Sequence, residues 1–433
     1  MSNDGAQLTF DKVLVLVAFG GGYSLLALTR LNKAYIVWGA IVGLAITRVL
    51  PVARIPYDIH WNVIGVFAGT LLLTGAFIYS RVPAKISNIL VAHAPNLGMA
   101  MLAVCLISSA LSVVVENVAT VLIVAPIALE MARKQKVSPI PFLIGIAVCS
   151  NLQGTATLIG DPPSMILAAS EHMSFNDFFV FHGKPSIFWA VEAGGVVSFV
   201  ILWLLFRRNR QKVEAFAAIQ IESWAPTVLL AIMIMGLAFS SLVDPGFNWA
   251  AGTLCMVVGL LSLVIMVLEG EHSRQEVKTM IKVYDWETTF FLMGVFVLVA
   301  MLVRAGLVAD FASLLSRTLG RNPFLVFVII VWASVGFSAF IDNVPYITAM
   351  IPVVQIVAID LGISRYLLIF GLLIGSCLGG NITPVGASAN IVAAGALKRE
   401  GYHVSFWQFA RIGLPFTVAA TVAGMAVVWA VWR

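Results

Sequence analysis

Apolar runs long enough to cross a bilayer alternate with short polar joins along almost the whole chain. A hydrocarbon core roughly 30 Å thick needs about 20 apolar residues of helix. Clear candidates are Val13 to Thr29, Trp61 to Ser80, Pro185 to Phe206, Trp224 to Val243, Trp249 to Leu268, Trp286 to Val303 and Leu414 to Trp432. Ala34 to Thr47 is shorter and reaches span length by extending through Leu50. Arg81 to Pro95 and Ala305 to Leu319 mix polar and apolar positions and read as helices lying in the interface. The rest of the apolar sequence does not divide into simple spans. Leu97 to Val115 and Val118 to Met131 flank one polar point, and Pro323 to Phe340 and Val344 to Ile359 flank another. Each pair predicts a re-entrant helical hairpin with a polar tip, over 97–131 and 323–359. Ile140 to Ser150 and Pro162 to Ser170 are each too short to span, as are Tyr366 to Leu378 and Ala387 to Leu397. Each of these pairs predicts one transmembrane helix broken in its middle, over 140–170 and 366–397.

These irregular stretches are copies of each other. Ser112 to Gly160 aligns without a gap on Ser338 to Gly386 at a constant offset of 226, with twelve identities in 49 positions. The identities are mostly glycine, proline and small polar residues: Ser112/Ser338, Asn117/Asn343, Pro126/Pro352, Gly145/Gly371, Ser150/Ser376, Gly154/Gly380, Thr157/Thr383 and Gly160/Gly386. In each copy an acid-Asn-Val triplet, Glu116-Asn117-Val118 or Asp342-Asn343-Val344, interrupts the apolar run. Matched interruptions in two halves of a membrane chain point to a transport site. If each hairpin enters and leaves on one side, each half makes five crossings, an odd number, and the second half is inverted relative to the first. The expected architecture is an all-α polytopic membrane protein of two inverted-topology repeats, residues 1–223 and 224–433. This topology puts 17 of the 26 Lys and Arg residues on one side. That side is expected to be cytoplasmic, with both termini outside, the first hairpin opening inward and the second outward.

Composition agrees. A chain of 433 residues that is 60% hydrophobic and 11% charged, with mean hydropathy +0.99, cannot hide its apolar surface in a water-soluble core. Met1 to Lys12 lacks a basic stretch and a small-residue cleavage site, so the first apolar segment is expected to remain as an anchor. The formal charge of +5 sits in short loops and calls for no nucleic-acid partner. Cys105, Cys149, Cys255 and Cys377 are widely spaced within apolar runs and read as small buried residues. Gly20 to Gly22 reads as packing sequence. Neither a nucleophile–base pairing nor a phosphate loop is recognisable, so no enzyme and no organic cofactor are expected.

Irregular backbone at membrane depth must be buried in protein or line a wet cavity. The breaks Asn151 to Gly160 and Gly379 to Gly386 therefore face something polar. Carbonyls and hydroxyls of Thr155, Thr157, Asn381 and Thr383 suit a small cation, and helix N-termini near Pro162 and Ala387 suit an anion. Asp161, ahead of Pro162-Pro163, is a candidate ligand and equally reads as an ordinary helix N-cap. Gly154, Gly160, Gly379, Gly380 and Gly386 serve close packing as well as ligand approach. A carboxylate near the bilayer centre costs about 2.5–3.5 kcal/mol on insertion scales. Glu116 and Asp342 are accordingly expected to be the groups that couple transport to protons or sodium, the competing reading being that each caps the second arm of its hairpin. Asn117, Thr120, Ser150, Asn151, Asn343, Ser376, Ser388 and Asn390 complete the candidate site, with sodium expected at Asn117, Asn343, Thr157 and Thr383. Glu192 lies inside a span without a repeat partner and reads as a buried hydrogen-bonded or lipid-boundary residue as readily as a coupling group.

Three segments carry a resemblance. They are Asp285-Trp286-Glu287-Thr288 leading into Phe290 to Ala300, the run Gln153 to Pro163, and Leu378 to Asn381 followed by Gly386 to Asn390. Together they resemble the arsenite permease and P protein branch of the ion transporter superfamily, which is citrate transporter-like and related to D-type sodium/proton antiporters and dicarboxylate/sodium symporters. The resemblance implies a scaffold part and a transport part in each half, hairpin tips and broken helices enclosing the substrate, a homodimer, and elevator-like alternating access. The dicarboxylate symporters carry Ser-Asn-Thr at the tips, whereas these tips are Glu116-Asn117-Val118 and Asp342-Asn343-Val344. Gln153, Ser164 and Pro384 also depart from the pattern. The expected function is secondary active transport, across the inner or plasma membrane, of a small anion or oxyacid of arsenite or carboxylate type, coupled to protons or sodium. Sodium/proton antiport is the alternative, and a passive channel a more distant one.

Overall fold

The computed structural model describes residues 2–29, 31–212, 219–320 and 322–433. The first half runs α1 (Ser2–Leu28), α2 (Lys33–Ile46), a short turn α3 (Ile55–Asp58), α4 (Trp61–Tyr79), α5 (Val82–Ala92), α6 (Leu97–Ser112), α7 (Asn117–Lys134), α8 (Ile140–Gly154), α9 (Pro162–Glu171) and α10 (Ile187–Phe206). A two-stranded ribbon, β1 (Val180–Phe181) with β2 (Lys184–Pro185), precedes α10. The second half runs α11 (Ala225–Val243), α12 (Ala250–Leu268), α13 (Glu271–Val283), α14 (Trp286–Arg304), α15 (Leu307–Leu319), α16 (Pro323–Ser338), α17 (Asn343–Leu361), α18 (Arg365–Gly379), a 3-10 turn over Gly380–Ile382, α19 (Ser388–Arg399) and α20 (Phe406–Trp432). Among the described residues, eight helical segments are long and apolar enough to cross a membrane.

Both hairpins and both broken helices stand where the apolar pattern predicts them. The hairpins are α6–α7 and α16–α17, and the broken helices are α8–α9 and α18–α19. Their boundaries have a local cause that recurs at the same offset. Asn96 caps α6 and Asn322 caps α16, each side-chain oxygen accepting from backbone N–H groups of the first turn. The structure departs from expectation in two places. The join from Glu269 to Asp285 is largely α13, whose apolar Val277 and Met280 pack on Ala76 and Met266. The last span starts at Phe406 rather than Leu414, because Ser405 and Gln408 form a capping box. A Cβ built on Gly20, Gly21 or Gly22 would meet no described atom within 4 Å outside its own stretch of α1, and Gly22 is buried. The join from Arg207 to Ser223 falls partly outside the described residues, at 213–218, and so does Arg30.

The two halves run in opposite directions. At the open end of the first hairpin, Arg133 on α7 pairs at 2.7 Å with Glu400, just past the far end of α19. At the open end of the second, Gln355 on α17 donates to Glu171, the last residue of α9, at 2.6 Å, and Arg365 joins the same carboxylate at 3.1 Å. The mouth of each hairpin thus lies beside the outer end of the other half's broken helix. Two repeats inserted the same way round would put both hairpin mouths on one face and both broken-helix ends on the other. The halves also meet where α4 crosses α12. A Cβ on Gly69 would lie 2.2 Å from the Cys255 backbone, and one on Gly252 would lie 2.5 Å from the Asn62 carbonyl, so the crossing depends on glycine at both positions.

Ser138 and Ser364 occupy equivalent positions in the two repeats and provide a test of this inversion. All four native cysteines are buried. In intact cells, Ser138→Cys should react with a membrane-impermeant maleimide only after the membrane is opened, and Ser364→Cys should react without opening. Labelling of both from the same side would contradict the inverted topology.

Candidate functional site

Each hairpin tip is bonded to its own half's helix break, and the bonds repeat at the offset of the sequence repeat. Ser112 donates to the Ser150 carbonyl at 2.8 Å, and Ser338 donates to the Ser376 carbonyl. Thr157 donates to the Val113 carbonyl, and Thr383 donates to the Ala339 carbonyl at 2.6 Å. The glycines allow the approach. A Cβ on Gly160 would lie 2.5 Å from the Gly154 carbonyl oxygen, and one on Gly386 would lie 2.6 Å from that of Gly380. The hydroxyls of Thr157 and Thr383 are therefore used on backbone, with only their remaining lone pairs open to an ion.

An amide cluster joins the halves at the centre. The Asn151 side-chain N–H₂ donates to Asn381 at 2.8 Å and to Asn390 at 2.9 Å, and accepts from Asn117 at 3.2 Å through its oxygen. The Asn390 amide donates in turn to the carbonyls of Gly380 and Thr383, both at 2.8 Å. Ser150 donates to the Asn117 carbonyl at 2.9 Å. Thr120, Thr155 and Ser376 return their hydroxyls to backbone carbonyls of Val115, Asn151 and Leu373. These predicted residues are brought together, but as a buried framework behind the site.

The site itself is a cavity of about 670 Å³ in front of that framework. Of the predicted residues, Glu116, Asn117, Asp161, Asp342, Asn343 and Ser388 line it. Four helix N-termini converge there, those of α7, α9, α17 and α19. Glu116 caps α7 through the Ala119 N–H at 3.1 Å, and Asp342 caps α17 through the Val344 N–H at 3.1 Å. The capping reading of these two acids is thus realised, while they also face the cavity. Asp161 is the reverse case. It occupies the N-cap position of α9 but makes no capping hydrogen bond, and its buried Oδ2 has no partner among the described residues. The two prolines that follow have no N–H, and the next one, that of Ser164, donates to the Asp161 backbone carbonyl at 3.0 Å, so the Asp161 side chain is left to line the cavity with Glu116 and Asp342. Neither α9 nor α19 has a side-chain cap, so both positive helix ends are open to the cavity.

Sequence reasoning missed Lys33. It begins α2, where it counted as an ordinary loop cation, yet its ammonium pairs with Asp342 and lies 5.9 Å from the centre of the Phe291 ring. Its backbone N–H donates to Glu287 at 2.8 Å, and Asp285 caps α14 through Thr288 at 2.9 Å. The Asp285 to Thr288 segment therefore fixes the start of α2 and the lip of the cavity. The one available signal was a lone basic residue at the head of a helix too short to be an ordinary span.

Two inverted repeats, each closing a re-entrant hairpin on a broken helix around a charged membrane cavity, define a membrane transporter. The sequence matches the citrate transporter family (CitMHS) over residues 23–368 and again over 254–433, and the chain belongs to that family. An uncharacterized transporter of Mycobacterium tuberculosis is 30% identical over 96% of this chain and 98% of its own length. A 46 kDa membrane protein of Mycobacterium leprae is 29% identical over 96% of this chain and 98% of its own. The P protein of Homo sapiens is 25% identical over 74% of this chain but 47% of its own length. Among solved structures, the YdaH transporter of Alcanivorax borkumensis aligns with a TM-score of 0.62 at 13% identity, covering 98% of this chain and 97% of that one. MtrF of Neisseria gonorrhoeae, described with a class of antimetabolite efflux pumps, aligns with a TM-score of 0.53 at 12% identity, covering 97% of this chain and 94% of that one. At these identities the likeness is one of fold.

The framework bonds carry a direct test. Thr157→Val and Thr383→Val each keep the side-chain shape and leave one buried carbonyl without its donor, a loss of about 1–3 kcal/mol. Both variants should lower the thermal unfolding midpoint of the purified protein, and by similar amounts. An unchanged midpoint in both would show that the tip-to-break bonds do not hold the fold.

Proposed function

We propose that the chain is a secondary active transporter of a small anion of the carboxylate or oxyacid class, coupled to protons or sodium. One observation carries the reading: six carboxylates, those of Glu116, Asp161, Glu276, Asp285, Glu287 and Asp342, and one lysine, Lys33, line a cavity where two uncapped helix N-termini point inward. Bare charges at membrane depth are costly, so the carboxylates of Glu116 and Asp161, which Lys33 does not pair, call for protons or metal cations. The same cavity offers an anion the positive ends of α9 and α19. With Asp342 ionised, Lys33 is held by it. When Asp342 takes a proton or sodium ion, the Lys33 ammonium is released toward an anionic substrate. Cation binding and anion binding then assist each other, which is the condition for symport. Tyr79, α13 and the Asp285 segment stand at the approach to the cavity, the side on which the excess of Lys and Arg places the cytoplasm. This orientation puts both termini outside an inner or plasma membrane. We assign the division at residues 223 and 224 to two repeats whose hairpins and broken helices form the moving part, in an elevator-like homodimer.

A second reading, sodium/proton antiport without another substrate, is favoured by the excess of acids over bases in the cavity. Proteoliposomes loaded with a pH-sensitive dye separate the two. Citrate and arsenite, tested with and without sodium or lithium, should give saturable, gradient-driven anion uptake. Proton movement driven by sodium alone, with no dependence on either anion, would favour antiport.

Asp342→Asn and Glu116→Gln should insert and fold yet lose uphill accumulation, while keeping exchange of substrate for substrate. Lys33→Gln should weaken anion affinity about ten- to hundredfold, as expected for losing a charge-assisted hydrogen bond. Uphill accumulation with unchanged pH dependence in both acid variants would move the coupling group to Asp161.

A further inference from the structure

We propose that the lipid-facing surface of α6 and α10 binds one anionic phospholipid, its phosphate held by Arg207, Arg208 and Arg210 and one acyl chain laid along the groove between the helices. Two adjoining cavities make this surface, one of about 620 Å³ within the apolar zone and one of about 720 Å³ at the end of α10. They are continuous, since Met99, Leu102 and Trp203 line both. The apolar part is walled by exposed Leu106, Val196 and Val200, as a surface in contact with hydrocarbon should be. The polar part is lined by the three arginines and by no acid. None of the three is in an ion pair among the described residues.

The arginines are held in place. Leu97 N–H donates to the Gln211 carbonyl and Gly98 N–H to the Asn209 carbonyl, both at 2.8 Å, tying the segment across the start of α6. A Cβ on Gly98 would lie 2.4 Å from the Phe206 carbonyl oxygen, so the crossing requires glycine. The Arg207 guanidinium sits 5.3 Å from the centre of the Trp203 ring. The first N–H groups of α6 are already used by Asn96 and by these carbonyls, so attraction for an anion rests on the guanidinium groups. A basic pocket at the polar end of an apolar groove between transmembrane helices matches the two chemistries of a phospholipid. At about 1.5 Å per residue, Glu192 lies about 22 Å along α10 from Arg207. There it lines the cavity together with Gln153, the neighbour of Gly154 in the helix break. The acyl chain would therefore end against the residue that borders the break.

Native mass spectrometry of the full chain in detergent tests the proposal, with phosphatidylglycerol and phosphatidylcholine of identical chains as probes. Phosphatidylglycerol should bind more tightly. The affinity should fall roughly fivefold for Arg208→Gln and further for the triple Arg207→Gln/Arg208→Gln/Arg210→Gln, about fivefold per charge. Leu106→Trp, which fills the groove from an exposed position and leaves the arginines in place, should weaken phosphatidylglycerol binding as well. Free glycerol 3-phosphate should not compete. Equal binding of the two lipids, full affinity in Arg208→Gln, full affinity in Leu106→Trp, or competition by glycerol 3-phosphate would each overturn the proposal.

Discussion

Backbone N–H and C=O groups freed at a helix break inside a bilayer have no water to turn to, and everything else in this structure depends on how they are satisfied. The answer is the same in both halves. A hairpin tip is pressed against the break, a serine of the tip donates to the helix ahead of the break, and a threonine of the break donates back to the tip. Glycine is required because the two backbones approach more closely than a Cβ permits, as at Gly160 and Gly386. The repeated small residues thus have a physical cause. They close an open backbone without filling the space in front of it, and that space becomes the cavity.

A second consequence concerns what can move. Each hairpin is locked to its own broken helix, and Asn151, Asn381 and Asn390 lock the two halves' breaks together. These elements form one hydrogen-bonded body. Lys33 belongs to α2, which packs on α14 through Trp38 and the Phe290 carbonyl and lies outside that body. The pairing of Lys33 with Asp342 therefore crosses the boundary between the body and its frame. On the proposed function, any displacement of the body must break this pairing. Neutralising Asp342 by a proton or sodium ion removes most of what opposes the displacement, and coupling then follows from electrostatics without a separate gate.

The extent to which the sequence was legible follows from the type of signal each feature leaves. Hairpins and broken helices were legible because apolar runs of the wrong length, interrupted at matched positions, have few other solutions in a membrane. The framework residues were legible as a set, through identities such as Ser112/Ser338 and Thr157/Thr383, but their partners were not. A hydroxyl in sequence carries no mark of whether it will donate to a carbonyl 44 positions away, as Thr157 does, or face a ligand. For Asp161 the sequence left capping and a place in the site as competing readings. Asp-Pro-Pro fits the statistics of a helix start, yet the prolines lack N–H groups and the Ser164 N–H turns to the Asp161 backbone carbonyl, so the carboxylate caps nothing. Lys33 was missed because its role depends on Asp342, 309 positions away. Helix α13 was missed because short amphipathic sequence between spans has the composition of a loop.

The repeat is symmetric in what holds the structure and in the acid–Asn tips that face the cavity, and asymmetric where the second arms of the broken helices begin. The tip-to-break bonds and the asparagine caps of α6 and α16 recur at an offset of 226. At the same offset, Asn151 meets Cys377, Asp161 meets Ala387, Ser164 meets Asn390 and Pro162 meets Ser388. The first half thus supplies a carboxylate that caps no helix, whereas the second supplies the amide that caps the break's carbonyls and the hydroxyl at a helix N-terminus. Fully symmetric breaks would add like groups there too, two carboxylates or two amides. Such a pair would favour either cations or anions throughout. On the proposed function, dividing the roles at the breaks gives one cavity a wall for the coupling cation and a wall for the anion.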